Sequence, residues 1–334
     1  MPTIDIFNAD AFGLVSLTGA VERVPYVPNY LGALGLFETV PSRTISVAVD
    51  RRTNQLRLVP TSRRGEPVTR REPDPRDIRD VRTHRIAKGD RISAHEVQGM
   101  RAFGTESELE TVAGEVTRRM GRLMADMDLT WELHRLGAIQ GVVLDADGTT
   151  VLNDWFGEFG ISAPTSISFA LGTAATDVRG KCAQVVRAVA KALGAPADVP
   201  VVGLCGDAFW DDLVRHEDVR DTFRYQEGAA LRAGTAWMSL RFGGIEFHNY
   251  RGTDTASPVQ IGTNDARFFP RVPGVFQAAF APMESIEFAN TLGRPVYAMT
   301  IPDRDRAFWV DVELYSYPLF ICLRPEALQR GTRT

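Results

Sequence analysis

The chain has 334 residues, 44% of them hydrophobic, which is enough to bury a core in one large or two modest domains and excludes wholesale disorder. Its formal charge of −4 is unevenly spread: residues 51–101 carry fourteen Arg or Lys against seven Asp or Glu, a local +7 that leaves −11 for the remainder. No apolar run reaches the length of about 18 residues that a membrane span needs, and the start, MPTIDIF, has neither the basic segment nor the apolar stretch of a signal peptide.

Residues 24–44, VPYVPNYLGALGLFETVPSRT, set Pro25, Pro28 and Pro41 among several glycines. Proline works against regular helix or sheet here, yet Tyr26, Tyr30, Leu34, Leu36 and Phe37 need cover. Both facts fit an arm laid across the body or across a neighbouring subunit. In ISVAVDR, Ile45, Val47 and Val49 alternate on one face. A turn near Thr53 and Asn54 and the run QLRLVPT, with Leu56 and Leu58, predict a hairpin. A lone ribbon of this kind is marginal and needs support from elsewhere. The basic run from Arg51 to Arg91 contains no Trp, Phe or Tyr. It therefore offers no stacking platform for bases and matches no zinc-finger or helix-turn-helix pattern.

The strongest helical signal runs from about Glu106 to Leu136. Leu109, Val112, Val116, Met120, Leu123, Met127 and Trp131 recur at intervals of three and four, an apolar stripe on a helix of roughly 45 Å. Thr105 and Glu108 have capping-box spacing. GVVLDADGTTVLNDWF then predicts a hairpin, with Val142–Leu144 leading through a turn at Asp145–Thr149 to a return strand from Val151. DVRGKCAQVVRAVAKALG is an amphipathic helix closed by Gly194. VPVVGLCG is a buried strand, with Gly206 and Asp207 as strand end and helix N-cap, and GDAFWDDLVRHEDVRDTF is helical. SLRFGGIEFHNYRG, ARFFPRV and AFWVDVELYSYPLFICLRP are strand-like, the last alternating Trp309, Val312 and Leu314 before Pro318. The pattern is that of a mixed α+β protein without internal repeats.

Chemistry is sparse. Asp145–Thr150, DADGTT, resembles a calcium loop only at its start, since Thr149 and Phe156 occupy the positions where the fifth and twelfth ligands belong; a β-turn is the simpler reading. Asp211, Asp212, His216, Glu217 and Asp218 form an acidic helical cluster, read as a solvated face. His84, His95, His134 and His248 are scattered, without an HExxH motif, and there is no G-x-S-x-G or phosphate-binding glycine loop. Cys182, Cys205 and Cys322 are too widely spaced for a metal knuckle and fit free buried thiols. No catalytic, cofactor-binding or metal-binding residue is assigned, and no cofactor is expected.

The order of the segments resembles the phage major capsid protein E family, the lambda-like branch of the HK97 capsid fold. Four stretches carry the likeness: Asn29–Asp50; Thr83–Gly104 with Arg101, Phe103 and Gly104; Leu144–Gly160; and Asn290–Leu328 with Leu292, Gly293, Pro295, Tyr297, Pro318, Leu319 and Pro325. The resemblance implies an α+β, HK97-like fold. Its parts would be an N-terminal arm (1–43), an extended β-hairpin loop (44–80), a peripheral domain (81–177) with a long spine helix (106–136), an axial domain (178–300), and a C-terminal return to the peripheral domain (301–334).

It further implies self-assembly into pentamers and hexamers of an icosahedral head around double-stranded DNA. A separate scaffold protein, a portal and a possible decoration protein would be partners, contact with packaged DNA would be non-specific, and no membrane would be involved. The virion is the expected location, with assembly in the host cytoplasm. Lysine occurs only at 88, 181 and 191, so covalent cross-linking from the extended loop is not expected. An encapsulin-type shell is the nearest rival. A metal-dependent hydrolase using Asp211, Asp212 and His216, or a nucleic-acid module on the basic run, stands further off.

Overall fold

The computed structural model describes residues 30–52, 76–99, 108–194, 199–225, 239–250 and 259–334. Its longest element is helix α3, Glu108–Gln140, which follows a one-turn helix α1 (Tyr30–Ala33) and a short helix α2 (Ala94–Gly99) in the chain. The stripe read from the sequence is the buried face of α3: Val116, Met120, Leu123, Met127 and Trp131 are all in the core. The helix runs one turn past Leu136, and Leu133, Leu136, Ala138 and Ile139 are also buried, so its last turns are covered nearly all round. The proposed cap at Thr105, and the side chains of Leu109 and Val112, lie outside the described residues.

A six-stranded sheet divides the apolar interior. Its order is β7 (Ile167–Ser168), β16 (Gln329–Thr332), β11 (Asp265–Pro270), β8 (Val201–Cys205), β10 (Ile245–Asn249) and β9 (Ser239–Phe242). Strand β8 sits inside the sheet, parallel to β10 and antiparallel to β11, and all five of its residues are buried. Side-chain alternation then does the dividing. Val202 and Leu204 join the core around α3, while Val201 and Cys205 join a second core under helix α5 (Val178–Leu193) and helix α6 (Asp207–Arg215). Helix α5 begins at Asp177, whose carboxylate accepts the Gly180 amide at 2.7 Å, and ends at Gly194 in the left-handed region at φ +64°.

Two smaller sheets complete the first core: β1 (Phe37–Pro41), β12 (Phe276–Phe280) and β15 (Pro318–Cys322); and β13 (Tyr297–Pro302), β14 (Trp309–Ser316) and β4 (Ile86–Ser93). The expected hairpin Val142–Leu144 with Val151–Asp154 forms β5 and β6 as read, and the one-turn helix α4 (Trp155–Glu158) follows it.

Several expectations are corrected. Residues 30–41 are not irregular: they form α1 and then β1, an edge strand parallel to β12 with Pro41 at its end, where a missing amide costs little. Strand β2 (Ser46–Arg52) pairs with β3 (Arg76–Arg82), in register Ser46 to Arg82; the QLRLVPT run lies outside the described residues. The base of this ribbon is packed, with Val49 and Val81 buried against the core around α3. Strand β14 alternates cleanly, but through Val310, Val312, Leu314 and Ser316; Trp309 is on the other face. Finally, Gly206 is the N-cap of α6, makes no side-chain cap, and leaves Asp207 in the first turn.

Candidate assembly surface

Among the described residues, the candidates for chemistry do not converge. Asp147 accepts the Thr150 hydroxyl at 2.6 Å and the Thr149 and Thr150 amides at 2.9 and 2.8 Å, an ordinary polar turn. Those hydrogen bonds, the Thr150 hydroxyl foremost, hold its carboxyl well below the usual range. The acidic cluster is largely the solvated face expected of it, with Asp211, Glu217 and Asp218 exposed, and His216 is the exception. His216 is buried outside the helix, ending α6 with its Nε2 3.2 Å from the Thr173 carbonyl. Asp212 pairs with Arg333, and Asp218 accepts the Val178 amide at 3.0 Å, tying helix α7 (Glu217–Tyr225) to the start of α5.

Among the described residues no group of three His, Cys, Asp or Glu side chains could hold a metal ion. His84 lies 2.7 Å from Asn153, and His248 3.4 Å from Glu246. His134 is buried, and burial pulls its pKa down to about 4. The three cysteines are free and buried; burial pushes the Cys182 and Cys322 thiols up to about 12, away from any nucleophilic role.

Polar side chains instead bind elements together. Arg119 of α3 donates to Glu115 at 2.8 Å and to the Arg91 carbonyl at 2.7 Å, lies 3.1 Å from Asp90, and pairs with Glu96 of α2. One guanidinium thus joins α3, α2 and the end of β4. Further along α3, the buried Glu132 accepts the Leu31 amide at 2.9 Å and the Tyr250 hydroxyl at 3.1 Å, with Arg135 at 3.7 Å. This carboxylate fixes α1 against the long helix and against the residue that follows β10. Sequence reading passed over Asp128, Glu132 and Arg135, although their spacing of four and three within an apolar stretch puts them on one helical face.

The outer surface carries the features of a subunit that meets copies of itself. Large apolar side chains are bare on separate protrusions: Ile286 at 96%, Ile45 at 67% and Phe308 at 62% exposure. Phe308 closes the β13–β14 turn, in which the Asp303 carboxylate accepts three amides and the Phe308 carbonyl accepts the Ala94 amide at 2.8 Å. Such scattered apolar residues are among what the surface offers a partner. The described part of the basic segment is partly neutralised within the chain: Arg91 forks onto Asp311 at 2.7 and 2.9 Å over the Trp309 ring, Lys88 reaches Asp126 at 2.7 Å, and Arg85 lies 3.9 Å from Glu284. Among the described residues no helix is long and apolar enough to cross a membrane.

Known structures share this architecture. A capsid protein of a prophage in Escherichia coli CFT073 matches with a TM-score of 0.56 at 13% identity, over 96% of this chain and 99% of that one. The mature capsid of bacteriophage PhiM1 matches with 0.55 at 10% identity, over 92% and 88%. The satellite phage P4 procapsid, whose structure includes a size determination protein, matches with 0.52 at 8% identity, over 96% and 95%. The fold is therefore the HK97-like fold of phage shell subunits.

Sequence comparison narrows this further. The family described as phage major capsid protein E matches residues 13–333. The major capsid protein of Salmonella phage Felix O1 (isolate Felix O1-VT1) is 26% identical over 95% of both chains, and that of Pseudomonas phage KPP10 is 25% identical over 96% of both. The chain belongs to the phage major capsid protein E family, and its work is structural: copies of it build the multi-subunit shell of a phage or prophage particle.

Proposed function

We propose that the chain assembles into pentamers and hexamers that close an icosahedral head around double-stranded DNA, and that it does so without catalysis. The single observation that carries this reading is the division of the interior by one sheet. A core built on a 33-residue helix with two three-stranded sheets faces one side, and a helix-covered core faces the other. Two cores of different make-up sharing a central sheet suit a tile with a peripheral and an axial end.

In that plan residues 1–43 are the arm, 44–80 the extended loop, 81–177 and 301–334 the peripheral part, and 178–300 the axial part around the ring centre, except that β12 packs in the first core. The β2–β3 pairing supports an extended loop that begins and ends at a packed base. The contacts of α1 and β1 with α3 and β12 support an arm whose end is clamped to its own subunit. Repetition of weak equivalent contacts then closes the shell.

A separate scaffold protein, a portal and a decoration protein are the proposed partners, with non-specific contact to packaged DNA and assembly in the host cytoplasm. A size determination protein in the related P4 procapsid supports the use of a separate assembly factor. The excess of basic residues in 51–101 over an acidic remainder supports contacts that weaken with salt.

Light scattering with negative-stain microscopy of purified protein, across a salt series, tests the reading. Rings of five or six, sheets or closed shells are expected, loosening as salt rises. A strictly monodisperse monomer at high concentration, even with a scaffold supplied, would refute it.

A further inference from the structure

Strands β11 and β16 place Arg267 directly opposite Arg330 in an antiparallel pair. Like charges in this position repel, and a ladder normally avoids them. Both side chains line a cavity of about 200 Å³ whose other polar walls are Gln140, Ser166 and Gln329, and no carboxylate lines it among the described residues. The nearby Asp265 carboxylate is engaged by Arg330, which donates to its two oxygens at 3.1 and 2.8 Å.

Arg267 is the recessed member of the pair. Its Nε is buried and has no hydrogen-bond partner among the described residues. Burial, then the proximity of Arg330, weakens its hold on its proton. Two guanidiniums share one carboxylate, so the cavity keeps a net positive charge and unfilled donors. A buried donor left unmatched is costly, and a fold that retains one is suited to a ligand that supplies the acceptor.

We propose that this cavity is an oxyanion site, and that in the assembled shell it receives a carboxylate side chain from a second copy of this chain. The second half of this inference rests on the shell reading above. Size and lining choose the occupant. The volume takes a group tipped by one carboxylate, and the apolar walls, Ile139, Phe156 and Leu328, suit the methylene stem of Glu or Asp. A phosphodiester would bring two sugars and a second charge-bearing neighbour into the same space. The source is available, since outside residues 51–101 the chain carries a net charge of −11.

The test uses the full-length chain, wild type and the variants Arg267→Met and Arg267→Lys, with sodium acetate as the probe against sodium chloride at equal ionic strength. On the dispersed chain, acetate is expected to raise the melting temperature of the wild type and of Arg267→Lys but not of Arg267→Met. In assembly followed by light scattering, Arg267→Met is expected to need roughly thirtyfold more subunit for half-assembly, the low end for losing one buried charged contact. Acetate should shift the wild-type midpoint upward and leave that of Arg267→Met in place.

Equal assembly midpoints for wild type and Arg267→Met would overturn the inter-subunit contact. A dispersed Arg267→Met chain that melts below wild type, with no acetate effect on either, would overturn the site and make Arg267 a complement to the carboxyl end of α3. Normal Arg267→Met shells that fail only to retain DNA would overturn the carboxylate in favour of phosphate. Wild-type protein that never assembles would count against the shell reading, while the acetate shift on the dispersed chain still decides the oxyanion site.

Discussion

Replacing Glu132 by Ala should be among the most damaging single changes available in this chain. The carboxylate is almost wholly buried on α3 and accepts from the Leu31 amide at 2.9 Å and the Tyr250 hydroxyl at 3.1 Å, with the Arg135 guanidinium at 3.7 Å. Alanine leaves an amide and a hydroxyl without their acceptor in the interior, at about 1–3 kcal/mol each. It also strips Arg135 of this neighbour. A total of about 3–5 kcal/mol is expected, a large share of the ~5–15 kcal/mol that holds a domain. Glu132→Gln keeps an acceptor oxygen and removes a charge that burial disfavours, so its cost should be about 1 kcal/mol or less. Urea unfolding of the dispersed chains gives the two differences, and hydrogen exchange at the Leu31 amide reports whether α1 stays docked. An alanine variant within 1 kcal/mol of wild type, with Leu31 still protected, would refute the idea that this carboxylate holds the arm.

The same physics yields four further expectations. Burial raises the Asp128 pKa from 3.8 to about 7, so the folded chain holds a proton that the unfolded chain releases between those values; stability should rise as pH falls through that window, and Asp128→Asn should abolish the rise in urea midpoints. His134 works in the opposite sense: with its pKa depressed from 6.5 to about 4, the unfolded chain is protonated first, stability falls with pH over that range, and His134→Gln should flatten the fall. Cys182, Cys205 and Cys322 should resist a thiol reagent in the folded chain and react together once urea unfolds it; rapid labelling of any one in native buffer would contradict its burial. Gly293→Ala should lower the melting temperature, because a Cβ there would lie 2.0 Å from the Phe280 carbonyl oxygen and disturb the Gly293 amide bond to Ser42 at 2.8 Å.

Local pattern made much of the fold legible. The α3 stripe, the β5–β6 turn, the capped helix α5 and the uniformly apolar β8 are each decided by residues within one element, where periodicity and caps act. The pairing of β2 was not readable in the same way. Its partner RDIRDVR is mostly charged, while QLRLVPT alternates more persuasively, and nothing local favours a partner at Arg76–Arg82 over a nearer one. Strand β1 was hidden for a related reason: a parallel edge strand is defined by β12, some 240 residues away in the chain, against which Phe37 faces Phe276. Family resemblance, not periodicity, supplied the shell architecture, because four ordered segments encode a topology that no single one encodes.

The acidic residues show why the site was harder to read than the fold. Hydropathy gives Asp212, Asp218 and Glu132 to solvent, but each is used where two elements meet: Asp212 with Arg333 after β16, Asp218 at the start of α5, Glu132 beneath α1. Apolar contact holds each core but is tolerant of sliding, whereas a carboxylate matched to one amide or one guanidinium fixes register. A shell subunit needs that fixity, since each exposed apolar residue, such as Phe308 or Ile45, is repeated in every copy and an error in its placement is repeated too. The concentration of charge at joints, with apolar residues left bare on protrusions, is thus the same requirement seen from inside and outside. It also explains why Glu132, Asp212 and Asp218, which a search for catalytic groups would single out, are each occupied in holding one element against another.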